Sequence, residues 1–176
     1  MGRRINVKGT SGTGKTTFSR ALAERLGLAY IELDALFHGP GWSQPADEEF
    51  QARVRGAMDA APDGWVIDGN YEGPLGATVV CKADTIVWLD LPLRLALRRL
   101  FARTSSRIRN DVELWNGNRE TWRNALLGWN SLFVWTVRSH FLRRRGWARR
   151  YADDPRLVRL ASTAEAVRWL ERLPRA

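Results

Sequence analysis

The run Gly9-Thr10-Ser11-Gly12-Thr13-Gly14-Lys15-Thr16 constrains this chain more than any other stretch. It matches the spacing G-x-x-x-x-G-K-[ST] at every fixed position, and it lies where the mechanics of that motif require. Arg4 to Lys8 reads as a short strand leading into it. Beyond it, from about Thr16 to Leu26, Phe18, Ala21, Leu22 and Leu26 share one helical face, and Gly27 supplies a C-terminal stop. A strand that turns through glycines into a helix aims backbone N–H groups and the positive helix end at one point, which cradles phosphate. Lys15 is placed to reach the β and γ phosphates and Thr16 offers a hydroxyl to Mg²⁺. Gly9, Ser11, Gly12, Thr13, Gly14, Lys15, Thr16 and Thr17 are therefore expected to bind ATP with Mg²⁺. The plain alternative, a glycine-rich turn with no ligand, does not need the lysine and the hydroxyl at those positions.

The rest of the chain alternates strand and helix signals. Tyr30 to Leu33 reads as a second strand ending at Asp34, and Gly39-Pro40-Gly41-Trp42 breaks the chain before a helix opened by Asp47-Glu48-Glu49. Trp65 to Ile67 is a third strand running into Asp68-Gly69-Asn70-Tyr71, and Thr85 to Leu89 a fourth, ending at Asp90. Pro92 begins an Arg-rich helix whose pattern fades at Thr104-Ser105-Ser106, followed by a polar stretch through Asn116-Gly117-Asn118. One long amphipathic helix is predicted from about Arg119 to Arg143, carrying Trp122, Leu126, Trp129, Phe133 and Val137. Arg156 to Leu160 is a fifth strand, and Ser162-Thr163-Ala164-Glu165 a capping box for a last helix. Alternating strands and helices predict an α/β fold, a parallel sheet covered on both faces, in one domain of 176 residues.

Two carboxylates, Asp68 and Asp90, compete for the Mg²⁺-associated position at a strand end. Gly69 favours Asp68, because it permits close backbone approach to a ligand. Asp90, before Leu91-Pro92, also suits a plain turn or cap.

The net charge of +9 is local: residues 94–150 hold 14 arginines, no lysine and three acids, which makes that segment +11. Arginine forks suit phosphate, and base composition of the genome produces the same bias. The segment is a candidate for nucleic-acid binding, with Arg143-Arg144-Arg145 and Arg149-Arg150 as a basic cluster beyond the long helix. Trp115, Trp122 and Trp129 recur every seven residues, which predicts one helix face packed in the core, with base stacking as the alternative. The single cysteine, Cys81, closes no intrachain disulfide, and no apolar run approaches the roughly 20 residues that span a bilayer. With no apolar signal segment before the first motif, a soluble cytoplasmic protein is expected, monomeric or homodimeric and with no membrane partner.

On these residues the chain resembles the small P-loop kinases, the superfamily of adenylate, shikimate and gluconate kinases. It is most similar to the adenylate-kinase-like DNA topology modulation (FlaR-related) proteins. The likeness rests on Gly9 to Thr17, Leu33-Asp34-Ala35-Leu36-Phe37 with Pro40-Gly41-Trp42, Trp65 to Tyr71 and Ala83 to Pro92. It implies a three-layer α/β/α domain with a five-stranded parallel sheet in the order 2-3-1-4-5, and transfer of the ATP γ-phosphoryl group. It further implies an acceptor-binding segment at about 34–62, a lid at about 98–118 and a basic, Trp-rich helical segment at about 119–150. Asp68 would lie between Mg²⁺ and the acceptor. Arg99 and Arg103, four apart on one helix face, would clamp phosphates, with Arg98, Arg107 and Arg109 behind them. Leu160-Ala161-Ser162 occupies the place where adenine packs, so Ser162 joins the expected nucleotide contacts. Nucleoside-monophosphate kinases follow their Asp-Gly with an arginine, whereas here Asn70, Tyr71 and Glu72 follow. Asp34 resembles instead the hydroxyl-binding carboxylate of shikimate- and gluconate-type kinases, which points to an alcohol acceptor that must lose a proton. The catalytic set expected is Lys15, Asp34, Asp68, Arg99 and Arg103. An ATP-binding, nucleic-acid-associated regulator and an acceptor-independent ATPase are the alternatives.

Overall fold

The computed structural model describes residues 2–126 and 131–176. Five parallel strands form one sheet: β1 (Arg4–Gly9), β2 (Ala29–Glu32), β3 (Trp65–Asp68), β4 (Thr85–Leu89) and β5 (Leu157–Leu160). Their order is β2-β3-β1-β4-β5, as the resemblance implied. β1 sits at the centre, its Val7 opposite both Asp68 and Val87, so the phosphate loop emerges between the carboxyl ends of β3 and β4.

Side-chain alternation along β1 divides the core. Ile5 and Val7 face the layer that holds Phe18 and Leu22 of α1 (Lys15–Leu26), with Val66, Val87 and Leu89 beside them. The other face carries Ile67, Ile86 and Trp88. It is covered by α3 (Asp47–Asp59) through Phe50, Val54 and Met58, and by Trp147 and Tyr151. α2 (Leu33–Phe37) precedes α3, and the short helices α4 (Glu72–Leu75) and α5 (Thr78–Lys82) link β3 to β4. α6 (Leu93–Arg109), α7 (Trp122–Leu126) and α8 (Leu132–Arg150) lie between β4 and β5, and α9 (Thr163–Glu171) follows β5. Burial on both faces is what makes the strands read as continuous apolar runs. Among the described residues no helix is long and apolar enough to cross a membrane.

Several expectations are corrected. β2 stops at Glu32 and the chain turns helical at Leu33, so Asp34 sits in the first turn of α2, where its charge meets the positive helix end. α6 does not fade at Thr104: Thr104 and Ser105 are buried and the helix runs on to Arg109, a case of tertiary packing overriding local pattern. The helix expected over 119–143 is two helices. Ser131 takes an extended conformation at the N-cap of α8, which then continues to Arg150, so the basic cluster lies within it. Trp115 belongs to a single 3-10 turn (Trp115–Gly117) and Trp122 to α7, where it is partly exposed, so the seven-residue spacing marks no common core face. Trp129 lies outside the described residues.

Candidate active site

The phosphate loop is fixed at both ends. Gly9 donates its N–H to Asn70 Oδ1 (3.1 Å) and accepts from Asn70 Nδ2 (2.6 Å), so the amide beyond β3 pins the start of the loop. Thr13 folds back onto the Thr10 carbonyl with its N–H (3.2 Å) and its Oγ1 (2.8 Å). Gly12 has φ 83°, and a Cβ there would lie 2.1 Å from the Ala96 carbonyl of α6, so this turn of the loop admits glycine alone. Gly14, left-handed at φ 88°, is the N-cap of α1, which makes Lys15 and Thr16 its first residues. The positive end of a twelve-residue helix therefore opens onto the loop.

Thr16 Oγ1 donates to Asp68 Oδ2 at 2.7 Å, and Tyr30 Oη donates to the same oxygen at 3.3 Å. Asp68 is buried, and its Oδ1 has no hydrogen-bond partner among the described residues. A hydroxyl and an unsatisfied buried carboxylate oxygen beside a phosphate loop form a donor set suited to Mg²⁺, which takes few protein ligands and keeps its waters and phosphate oxygens. Asp90 is engaged elsewhere. It pairs with Arg144 of α8 (3.0 Å) and with Arg159 of β5, and so ties these elements to the end of β4. Gly69 has a second reason beside the expected one: its φ is 151° and a Cβ would strike the Leu33 side chain at 2.8 Å, so packing requires the glycine.

α2 starts beside the strand end that carries Asp68, because Glu32 pairs with Asp68 in the β2–β3 register and α2 follows Glu32 directly. Asp34 Oδ1 accepts from Tyr71 Oη at 2.6 Å, and the same phenol oxygen lies 3.5 Å from His38 Nε2. Burial, reinforced by the Asp34 charge, pushes the Tyr71 phenol well above its ordinary range, so it stays protonated. His38 stacks on Trp115 (5.7 Å between centroids, 23°) and meets Trp42 edge-on (5.2 Å). Side-chain amides join the same two segments: Asn116 donates to the His38 carbonyl (2.6 Å), Asn118 to the Gly39 carbonyl (2.9 Å), and the Trp42 N–H donates to Asn118 Oδ1 (2.8 Å). The segments expected to be acceptor site and lid are thus stitched together.

The arginines divide. Arg99 reaches the phosphate loop, with Nη1 3.4 Å from the Thr13 carbonyl and Nη2 2.9 Å from Thr163 Oγ1, next to the expected adenine position. Ser162 Oγ accepts the Glu165 N–H and Glu165 returns a bond to the Ala161 N–H; its hydroxyl is thus engaged by the helix cap. Arg103 and Arg107 converge on Glu120, at 4.0 and 2.8 Å, and the charges of Asp34 and Glu32 also act on Arg103. Arg98 is exposed and Arg109 bonds the Ser105 carbonyl of its own helix. The basic cluster on α8 is not one patch. Arg143 lies over the Trp135 ring (5.5 Å) and faces Glu72, Tyr71 and Asp34; Arg144 holds Asp90; Arg150 holds Glu72; Arg145 and Arg149 are exposed.

Several site residues were not singled out from the sequence. Lys8 is buried and pairs with Glu72 at 2.6 Å, while Tyr151 Oη (2.9 Å) and Trp147 Nε1 (3.3 Å) also donate to Glu72. Burial lowers the Lys8 pKa, opposed by Glu72; Glu72 is held below its usual value by Lys8 against its own desolvation. A lysine in a strand covered on both faces needs such an acid, and that was the available signal. From α8, buried His140 places Nδ1 3.2 Å from Thr10 Oγ1 of the phosphate loop. α8 therefore reaches the ends of β1, β3 and β4 at once.

With this geometry in view, the comparisons with known proteins are consistent. The model of the family described as AAA domain matches residues 5–123. The chain is 32% identical over 111 residues to the cytidylate kinase of Pyrococcus horikoshii, covering 56% of each chain. It is 30% identical over 115 residues to the shikimate kinase of Paramagnetospirillum magneticum, covering 58% of this chain and 59% of that one. The matches thus span little more than half the length of these curated relatives. Among solved structures, a gluconokinase from Sinorhizobium meliloti 1021 superposes with a TM-score of 0.54 at 20% identity, over 96% of this chain and 91% of that one. The fold is that of the P-loop kinases.

Proposed function

This chain belongs to the AAA domain family, and from that premise we propose that it is an ATP-dependent phosphotransferase acting on a small hydroxyl-bearing acceptor. The observation that carries the reading is the Thr16–Asp68 contact, with its unsatisfied buried Oδ1, at the mouth of a complete phosphate loop. Relatives named as cytidylate and shikimate kinases, and a neighbour named as a gluconokinase, support the reaction class.

The loop from Gly9 to Thr17 holds the triphosphate by backbone N–H groups, and Lys15 binds the β and γ phosphates. Thr16 and Asp68 would hold Mg²⁺, which would supply neutralisation of charge on the transferring phosphates. Arg99, already against the loop and Thr163, grips the nucleotide from the side. Arg103 moves from Glu120 to the γ-phosphate as the 98–118 segment closes. Asp34, adjoining Asp68, orients the acceptor hydroxyl and takes its proton. No arginine follows Gly69; Asn70 pins the loop and Tyr71 supports Asp34 instead, which directs the site toward an alcohol and away from AMP. A cytoplasmic setting is part of the proposal. So is a secondary role for nucleic acid, since three of the five clustered arginines on α8 face inward or are paired.

The test is ADP release on a panel of D-gluconate, shikimate, cytidine monophosphate and deoxycytidine. At least one hydroxyl acceptor should stimulate release, and Asp34→Asn should remove the stimulation while leaving ATP affinity unchanged. ADP release indifferent to every acceptor would overturn the reading in favour of an ATPase.

A further inference from the structure

We propose that His38 is an acceptor-binding residue whose Nδ1 accepts a hydrogen bond from a second O–H or N–H of the molecule that is phosphorylated. The inference rests on the phosphotransferase reading and narrows its substrate class to acceptors with at least two hydrogen-bond donors, polyhydroxylated ones foremost.

One proton, that of the Tyr71 phenol, sets the pattern. Tyr71 Oη lies 2.6 Å from Asp34 Oδ1, and a carboxylate offers only lone pairs, so the phenol hydrogen is committed to Asp34. Toward His38 Nε2, 3.5 Å away, the phenol oxygen has only a lone pair left. Nε2 must then carry the imidazole hydrogen, and Nδ1 of the neutral ring is a bare acceptor. Burial favours that neutral ring. Nδ1 is itself buried and has no hydrogen-bond partner among the described residues.

The ring cannot easily turn to satisfy it. Trp115 stacks on one face, and Trp42 and Phe37 meet it edge-on, each at 5.2 Å. The backbone is held as well, the His38 N–H by the Asp34 carbonyl (3.0 Å) and the His38 carbonyl by Asn116 (2.6 Å). A buried acceptor without a partner is unfavourable in the free protein and becomes favourable when a ligand supplies the donor. His38 is the residue where the acceptor-side helix α2 meets the 115–118 turn, so a molecule oriented by Asp34 lies next to it. One hydroxyl of the acceptor is directed by Asp34 for attack and another is read by His38.

Two replacements separate this role from a structural one. Asparagine retains an acceptor near the Nδ1 position, and glutamine retains a donor near Nε2. With whichever panel compound the wild type phosphorylates, His38→Asn should leave the acceptor KM within about threefold, and His38→Gln should raise it about tenfold, the scale of one lost hydrogen bond. The ATP KM should be unchanged in both. The reverse order, or equal losses in the two variants, would overturn the assignment. Nitrogen NMR of the imidazole supplies a readout that does not depend on turnover: a protonated Nε2 with a bare Nδ1 is expected, and a protonated Nδ1 would sink the idea. If the wild type phosphorylates nothing on the panel, the phosphotransferase reading fails and the His38 assignment falls with it, whereas a wild type that phosphorylates a panel compound with Nδ1 protonated overturns the His38 assignment alone.

Discussion

Replacing Glu72 with alanine should destabilise this protein by breaking a buried ion pair from one side. Lys8 is 1% exposed, and Glu72 is its paired carboxylate at 2.6 Å, with the Trp147 and Tyr151 rings at 5.5 and 6.0 Å and the charges of Arg150 and Arg143 acting against it. Removing the carboxylate leaves an ammonium buried against aromatic faces and strips the acceptor from Tyr151 Oη and Trp147 Nε1. Breaking a buried pair from one side costs about 3–5 kcal/mol. Glu72 is 23% exposed and admits some water, which places this case at the lower end, about 3 kcal/mol. For a chain of this size that is a fall in Tm of about 6–12 °C. Lys8→Met is the contrasting perturbation. It leaves Glu72 bonded to Tyr151 and Arg150 with its edge in solvent, so its cost should be nearer about 1 kcal/mol. The Glu72→Ala deficit should also shrink as pH rises. Lys8 in the folded variant loses its proton well below the ordinary 10.5, while the unfolded chain keeps it, so stability climbs with pH between the two values. Urea unfolding at neutral and mildly alkaline pH measures both. A Glu72→Ala cost under about 1 kcal/mol, or one smaller than that of Lys8→Met, would refute the reasoning.

Asp68→Asn should weaken Mg²⁺-dependent ATP binding about tenfold or more while leaving metal-free ATP binding almost unchanged, as titration calorimetry with and without Mg²⁺ would show. Burial depresses the pKa of both His38 and His140, the latter with help from Arg144, so below about pH 6.5 the unfolded chain binds more protons than the folded one. Stability should therefore be level above that pH and fall as pH drops through it; urea midpoints between about pH 8 and about pH 5 check the direction, and His140→Gln should flatten the fall. Asn118→Ala removes the bonds to Trp42 N–H, the Gly39 carbonyl and the Trp115 carbonyl, and should cost about 2 kcal/mol and speed proteolysis within 111–121.

The phosphate loop and the sheet were legible because their signals are local: fixed glycines, a lysine and a hydroxyl between a strand and a helix. The capping signal at Ser162 and Glu165 was equally plain: Ser162 Oγ accepts the Glu165 N–H as expected, while the Glu165 carboxylate reaches one residue further back, to the Ala161 N–H. What local pattern could not supply were the partners brought in from afar. Nothing near Lys8 in the chain says that its acid is 64 residues away, or that α8 would lay His140 on Thr10. Apolar spacing over 119–143 is compatible with one helix or two; Ser131 before Leu132-Phe133-Val134 was the available mark of a new start. Asp34 illustrates the remaining limit. Its residue type and neighbourhood were readable, but the passage from β2 into α2 depends on Leu33 packing beneath Gly69, which is a tertiary contact.

The most direct measurement is transfer of label from γ-labelled ATP in the presence of Mg²⁺, comparing the wild type with Lys15→Ala. Labelled acceptor is expected from at least one hydroxyl compound with the wild type and from none with Lys15→Ala. Label found only in inorganic phosphate for every compound, or transfer that survives loss of the Lys15 ammonium, would contradict that expectation.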